Sequence, residues 1–207
     1  MNLSSGAILI LSGPSGAGKS SLITKIIDHI GPSYFSISTT TRPMRAGEVN
    51  GTHYHFVSEE EFKYEIENEM FLEYAFVHGN YYGTSLVPVK KALKEGKLVI
   101  FDIDVQGHDA VKNRLGDITT SVFTTTPTLH ELKRRLHNRS TDSEEVITRR
   151  IDMAKREVQR IGEYDYLVVN DNLDEASEIL ISIAKSARMK IPTLQINEFI
   201  QQWEANA

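Results

Sequence analysis

One short segment constrains the fold of this chain more than any other. Residues 13 to 20 read Gly13-Pro14-Ser15-Gly16-Ala17-Gly18-Lys19-Ser20, with an apolar run, Ile8-Leu9-Ile10-Leu11, before them and a helix-like stretch, Ser21 to His29, after them. Strand, G-x-x-x-x-G-K-[ST] turn and helix in that order predict a backbone curled so that successive N–H groups point inward. The positive end of the following helix faces the same point. Such a loop is a cradle for the phosphates of a nucleoside triphosphate: Lys19 would bridge the β- and γ-phosphates and the Ser20 hydroxyl would ligate Mg²⁺. The bland alternative is a glycine-rich turn ahead of a surface lysine, and the flanking strand and helix argue against it.

The remaining composition narrows the class. With 207 residues the chain can bury one sizeable core and carry smaller inserted segments. At 40% apolar and 25% charged residues it reads as globular, and no window has the run of about 20 apolar residues that a membrane span needs. Met1-Asn2-Leu3-Ser4-Ser5-Gly6 leads straight into a strand, so no secretion signal is expected. The absence of cysteine excludes disulfides and thiolate metal sites and suits a reducing, cytoplasmic setting. A net charge of −5 argues against a nucleic-acid surface, so phosphate binding must come from local arginine clusters.

Along the chain, strands alternate with helices. Ile8–Leu11 reads as a strand, Ser20–Ile30 as a helix and Tyr34–Thr39 as a strand. From about residue 40 to 85 the pattern changes: Thr52–Val57 alternates, Glu59–Glu69 is a helix candidate and Gly79–Gly83 an aromatic turn, together an inserted, partly β subdomain. Then come a helix at Val87–Glu95, a buried strand at Lys97–Asp102, a short helix at His108–Leu115, a strand at Thr119–Thr124 and a helix at Thr128–His137. The next helix is expected to start at Asp142, with Glu145 three residues on, and to carry Ile147, Ile151, Ala154, Val158 and Ile161 on one face. A strand at Tyr166–Asn170 and a helix at Leu173–Ala187 follow. This order predicts an α/β fold with a parallel sheet covered on both faces. The tail, Ile191 to Ala207, reads as an amphipathic helix able to pack on its own core or on a second subunit, so a homo-oligomer stays open.

Two further clusters carry chemistry. Asp102 closes the apolar strand and Asp104 follows two residues later, so alternation would put both carboxylates on one side at the carboxyl edge of the sheet, where such folds bind ligands. A carboxylate at Asp102 can hold a water of Mg²⁺, although capping a strand is the plainer role. The segment Ser38-Thr39-Thr40-Thr41-Arg42-Pro43-Met44-Arg45-Ala46-Gly47-Glu48 sets Arg42 and Arg45 around a stiffening proline, so two guanidinium forks can converge on one compact dianion such as a monophosphate. Tyr54 and the Tyr81-Tyr82 pair add hydroxyls and ring faces. His53 and His55 could share a strand face as a metal pair, but no third ligand is near in sequence, which favours ordinary histidines.

The series GPSGAGKSS, STTTRPMRAGEVNGTHYHFV, FLEYAFVHGNYYGT, FDIDVQG and VVND, in order from about residue 6 to 187, resembles the guanylate kinase family, P-loop enzymes that phosphorylate GMP with ATP. The resemblance implies a three-layer P-loop NTPase core (6–39 and 86–187), a GMP-binding α+β insertion (about 40–85), a helical lid (about 135–150) and a helical extension at 188–207. It implies ATP and Mg²⁺ as cofactors, GMP and ATP as the small-molecule partners, and a place in purine nucleotide metabolism and GMP recycling. By resemblance, ATP lies on Gly13, Pro14, Ser15, Gly16, Ala17, Gly18, Lys19, Ser20 and Asn170, with Mg²⁺ on Ser20 and, through water, Asp102. The GMP set is Ser38, Arg42, Arg45, Glu48, Tyr54, Glu73, Tyr82, Thr84, Asp102 and Asp104. The chemistry of the base agrees: guanine offers donors at N1 and N2 and an acceptor at O6, complementary to two carboxylates and two hydroxyls, whereas adenine inverts that pattern. Arg135, Arg139 and Arg150 match the lid arginines and, with Lys19 and Arg42, make up the expected catalytic set. This chain departs from the family where the middle lid arginine is flanked by Asn138 and Ser140 in place of glycines. Two rivals share the outline. A non-catalytic interaction module of the same fold tends to lose the loop lysine or the lid arginines, both present here; a kinase for another monophosphate would lack the guanine-reading set Ser38, Glu73, Thr84 and Asp104.

Overall fold

The computed structural model describes residues 5–45, 47–77, 79–138 and 143–205. Its core is a five-stranded sheet built from β1 (Ala7–Ser12), β2 (Ser33–Phe35), β7 (Leu98–Asp102), β8 (Thr119–Thr125) and β9 (Tyr166–Val169) in the order β2-β7-β1-β8-β9, every pair parallel. Alternation along β1 makes the layers. Ala7, Leu9 and Leu11 face one side, where Leu22, Ile23 and Ile26 of α1 (Lys19–Ile26) and Leu180, Ile183 and Ala184 of α7 (Leu173–Ala187) cover them. Ile8 and Ile10 face the other, beneath Val89 and Ala92 of α3 (Leu86–Lys94) and Val111 of α4 (Val105–Leu115). Buried on both faces, β1 has no polar side, which is why it reads as an uninterrupted apolar run.

A second sheet, in the order β4-β3-β6-β5, comes from β3 (Thr39–Thr40), β4 (His55–Phe56), β5 (Phe71–Val77) and β6 (Asn80–Ser85). Its core is aromatic: Phe62 of α2 (Glu59–Glu67) is fully buried, stacked on Phe71 at 4.2 Å and on Tyr81 at 5.2 Å between ring centroids. Ser58 caps α2 in a reciprocal box with Glu61. Arg114 of α4 donates to the Phe71 carbonyl, which ties this sheet to the main layer.

A third cluster joins α5 (Leu129–Asn138) to α6 (Glu144–Glu157) through Leu132, Leu136, Ile147 and Ala154. The last helix, α8 (Ile196–Ala205), leaves Phe199, Ile200 and Trp203 exposed, so its apolar side does not pack on the core. Among the described residues no helix is long and apolar enough to cross a membrane.

Several expected boundaries move. The strand expected at Tyr34–Thr39 is two strands in two sheets: Ser36 still donates to Ile100 across the main sheet at 2.8 Å, and the chain then leaves it and pairs again at Thr39. Only His55–Phe56 of the alternating Thr52–Val57 segment is a strand, because Thr52 and His53 are in a turn closed by bonds to the Val49 carbonyl. The aromatic turn expected at Gly79–Gly83 is strand β6 from Asn80 onward, its tyrosines paired across to β5. The helix expected from His108 starts at Val105, where Asp104 caps it. The helix expected from Asp142 starts at Glu144 under a Ser143 cap; Asp142 itself lies outside the described residues.

Candidate active site

The glycine loop leaves β1 at Ser12 and enters α1 at Lys19. Gly13 has φ +128, and a Cβ there would sit 2.0 Å from the Thr124 carbonyl oxygen, so only glycine fits where the loop crosses β8. Gly18 has φ +90 and precedes α1 without a side-chain cap, whereas Ser58, Ser85, Asp104, Ser143 and Asn172 cap their helices. The first N–H groups of α1 are thereby left for an anion. Asn170, at the end of β9 and buried, donates from Nδ2 to the Ala17 carbonyl at 2.8 Å and holds the loop from 153 residues away.

The loop borders a cleft of about 320 Å³ lined by its own residues with Lys19, Ser20, Asp102, Ile103, Asp104 and Glu157. Lys19 Nζ donates to the Gly13 carbonyl at 2.6 Å and lies 3.7 Å from Asp102 Oδ1. Ser20 Oγ donates to Asp102 Oδ2 at 3.4 Å. A hydroxyl and a carboxylate so close, both facing the cleft, are hard oxygen donors of the kind Mg²⁺ takes directly or through its waters. Asp104 lines the same cleft while its Oδ1 accepts from the Gln106 and Gly107 N–H groups at 3.0 and 2.9 Å. A second hollow, about 270 Å³, runs along the other side of the loop past Gly16, Gly18, Ser21, Arg135, Asn170, Asp171 and Leu173.

Two of the three expected lid arginines reach this region. Arg150 Nη1 donates to Ser15 Oγ of the loop at 2.8 Å. Arg135 is held by Glu131 at 2.7 Å, and Arg134 binds the same carboxylate, so the two guanidinium groups pull the Glu131 carboxyl down to about 2. Arg139 and Ser140 lie outside the described residues.

The second sheet assembles the other expected group. Arg42 donates from Nη2 to Glu48 Oε1 at 2.6 Å and lies 5.5 Å from the Tyr54 ring centroid; Tyr54 meets Tyr82 edge-on at 6.2 Å. The hydrogen bond from Arg42 holds the Glu48 carboxyl below its usual range. Glu48 also accepts from the Arg45 backbone N–H at 2.7 Å, while the Arg45 side chain is exposed. Thr84 Oγ1 donates to Glu73 Oε1 at 2.7 Å, joining β6 to β5. Ser38 is half-buried between β2 and β3, and its carbonyl accepts from the His55 N–H. His53 and His55 do not make a pair: His53 Nδ1 accepts from the Val49 N–H and His55 Nε2 bonds the Tyr34 hydroxyl, each at 3.0 Å.

Two residues that line the cleft, Ile103 and Glu157, are absent from the set expected from the sequence, and of these Glu157 carries the charge. Glu157 closes α6, seven residues and therefore two turns after Arg150 on the same side of the helix. Val158, expected in the core, is 36% exposed where the helix tightens into a 3₁₀ turn, and Glu157 is turned inward in its place. Burial pushes its carboxyl up, Lys19 pulls it down by less, and Asp104 adds to the rise. The signal in the sequence was an Arg–Glu pair at i, i+7 beside the apolar stripe of α6. Another acidic group, His108, Asp109 and Glu163, is filled by Arg160, which donates to both carboxylates.

The guanylate kinase family model matches residues 5–187. A guanylate kinase of Sulfurimonas denitrificans is 70% identical over 204 residues, covering 99% of each chain. One of Wolinella succinogenes is 50% identical, covering 99% of this chain and 95% of its own. The crystal structure of a guanylate kinase from Anaplasma phagocytophilum superposes with a TM-score of 0.68 at 30% identity over 93% of this chain and 92% of that one. With the loop, the cleft and the second sheet in place, these matches make the chain a member of the guanylate kinase family.

Proposed function

We propose that this chain transfers the γ-phosphoryl group of ATP to GMP, giving ADP and GDP. The observation that carries the reading is on β6: Tyr82 and Thr84 are two residues apart and so share a face, about 7 Å apart along the strand, one beside the Arg42 guanidinium and the other bonded to Glu73. A nucleoside monophosphate has that polarity, a dianion at one end and a hydrogen-bonding base at the other. Arg42, Arg45, Tyr54 and Tyr82 would take the phosphate, with Glu48 fixing the Arg42 fork. Glu73, Thr84, Ser38 and Asp104 would read the donors and acceptor of guanine.

On the other side, the N–H groups of residues 13–20 would surround the β-phosphate of ATP, and Lys19 would exchange the Gly13 carbonyl for the β- and γ-oxygens. Mg²⁺ would be held by Ser20 and, through water, Asp102, where it supplies charge neutralisation on those oxygens. Arg135 and Arg150 reach the loop from α5 and α6 and would stabilise charge on the transferring group, with Arg139 completing the set. Such arginines are worth about 10³ to 10⁵ in rate in comparable systems. Residues from about 40 to 85 would serve as the GMP-binding insertion, and those from about 135 to 150, where α5 gives way to α6, as the lid. No covalent enzyme intermediate is required, since alignment of the GMP oxygen with the γ-phosphorus and exclusion of water suffice.

The test is ADP release with MgATP and each of GMP, AMP, CMP and UMP. Turnover confined to GMP is the expected result. No turnover with any of them, in protein whose melting is cooperative, would overturn the reading in favour of an interaction module.

A further inference from the structure

Glu157 has no part in the mechanism above, yet it lines the phosphate-loop cleft, and its Oε2 is buried with no hydrogen-bond donor among the described residues. A carboxylate oxygen shielded in this way takes its donor from outside the described side chains, from whatever fills the cleft. The nucleotide's phosphates cannot supply it, because they bring only acceptors. Lys19 is nearby, but its ammonium faces the Gly13 carbonyl and Asp102 here and would turn to phosphate oxygens with nucleotide bound. Waters carried in by a nucleotide-bound divalent cation would be such donors, because Glu157 lines the same cleft as Ser20 and Asp102. The charge on the cleft wall agrees: among the described residues Asp102, Asp104 and Glu157 line it beside Lys19, so a metal complex meets less repulsion from the carboxylates there than a bare nucleotide anion does.

We propose that Glu157 is a positioning residue that accepts a hydrogen bond from the water shell of the nucleotide-bound Mg²⁺, opposite Asp102, and makes the cleft select metal-loaded over metal-free nucleotide. Asp102 would hold that shell from the sheet and Glu157 from α6. Because α6 also carries Arg150, about 10 Å along the same face, occupancy by the metal would fix the helix that delivers the arginine. This inference rests on the placement of MgATP on the loop.

The experiment is calorimetric binding of ADP, without GMP, to the full chain and to Glu157→Gln, once with excess Mg²⁺ and once in chelator. Outer-shell partners of bound metals are worth about 10- to 100-fold in affinity. Glu157→Gln is therefore expected to weaken binding in Mg²⁺ about tenfold or more and to leave binding in chelator unchanged or tighter. Equal weakening in both media, or no change in either, would overturn the proposal. If Glu157→Gln does not fold, Glu157→Asp keeps the charge and shortens the reach: it should weaken only the binding measured in Mg²⁺, and an unchanged affinity there overturns the proposal. Should the unmodified protein bind ADP equally with and without Mg²⁺, the placement of MgATP on the loop fails first, which separates that failure from one confined to Glu157.

Discussion

Replacing Asn170 tests how the phosphate loop keeps its shape. The Asn170 amide is buried, and its Nδ2 donates to the Ala17 carbonyl, itself in a fully buried residue. The same nitrogen would lie 2.3 Å from a Cβ on Gly18, so the amide fills the space left by the glycine's missing side chain. Asn170→Ala removes the donor and leaves the carbonyl unpaired, a loss of about 1–3 kcal/mol, with water entering the vacated space pulling the value toward the lower end. For a chain of this size 1 kcal/mol corresponds to about 2–4 °C in Tm, so the expected fall is roughly 2–12 °C. Asn170→Asp keeps the shape but turns an acceptor toward an acceptor, and it should be at least as harmful. Both variants loosen the loop and not the second sheet: the KM for ATP should rise while GMP affinity stays put. Thermal melts with calorimetric titration of ADP and GMP check this. A Tm within about 1 °C of the parent for both variants would refute the reasoning, because a buried pair cannot be cut so cheaply.

Three other perturbations follow from the same geometry. Lys19→Met removes the ammonium that lines the cleft and should abolish turnover while far-UV circular dichroism and Tm stay near the parent values; near-normal turnover would sink the proposed mechanism. Glu73→Gln and Thr84→Val should each raise the KM for GMP by about one to two decades, since each removes a polar partner worth about 1.5–3 kcal/mol, and should leave ATP affinity unchanged in titrations. The Glu131 carboxyl, lowered to about 2 by Arg134 and Arg135, contributes stability that is complete above the unfolded-state value near 4.3 and is lost as pH falls from there toward 2. Melts of Glu131→Gln between pH 2 and 6 should therefore converge on those of the parent at the acid end, and parallel curves would refute the assignment.

How far the sequence reveals this molecule follows from the range of each signal. The phosphate loop is legible because its parts are adjacent: apolar strand, glycines at positive φ and helix lie within twenty residues, and each would be wrong for any other turn. The three layers are legible for the same reason, since alternation along one strand assigns both faces at once. The division of Tyr34–Thr39 between two sheets is not legible, because both halves have β-forming residues and only the pairing partners, Ile100 on one side and Tyr82 on the other, tell them apart. The residues expected at the GMP site are legible through their motif, yet their partnerships are tertiary. Arg42 and Glu48 are six residues apart, a spacing that no regular helix or strand would bring face to face, and the turn between them is closed by the Arg45 N–H on the Glu48 carboxylate and the Glu48 N–H on the Arg45 carbonyl. Glu157 is the instructive omission. An amphipathic reading of α6 puts Val158 inside and leaves Glu157 at the polar margin, which is the lower-energy choice for an isolated helix. The fold reverses it by tightening the helix at Val158, and a half-buried carboxylate whose Oε2 is shielded without a donor among the described residues is a cost that folding alone does not justify. A local rule broken at the rim of a phosphate cleft points to the ligand as the missing half of the interaction. That argument needs both the register of α6 and the position of Lys19, which a sequence holds 138 residues apart and only the folded chain brings together.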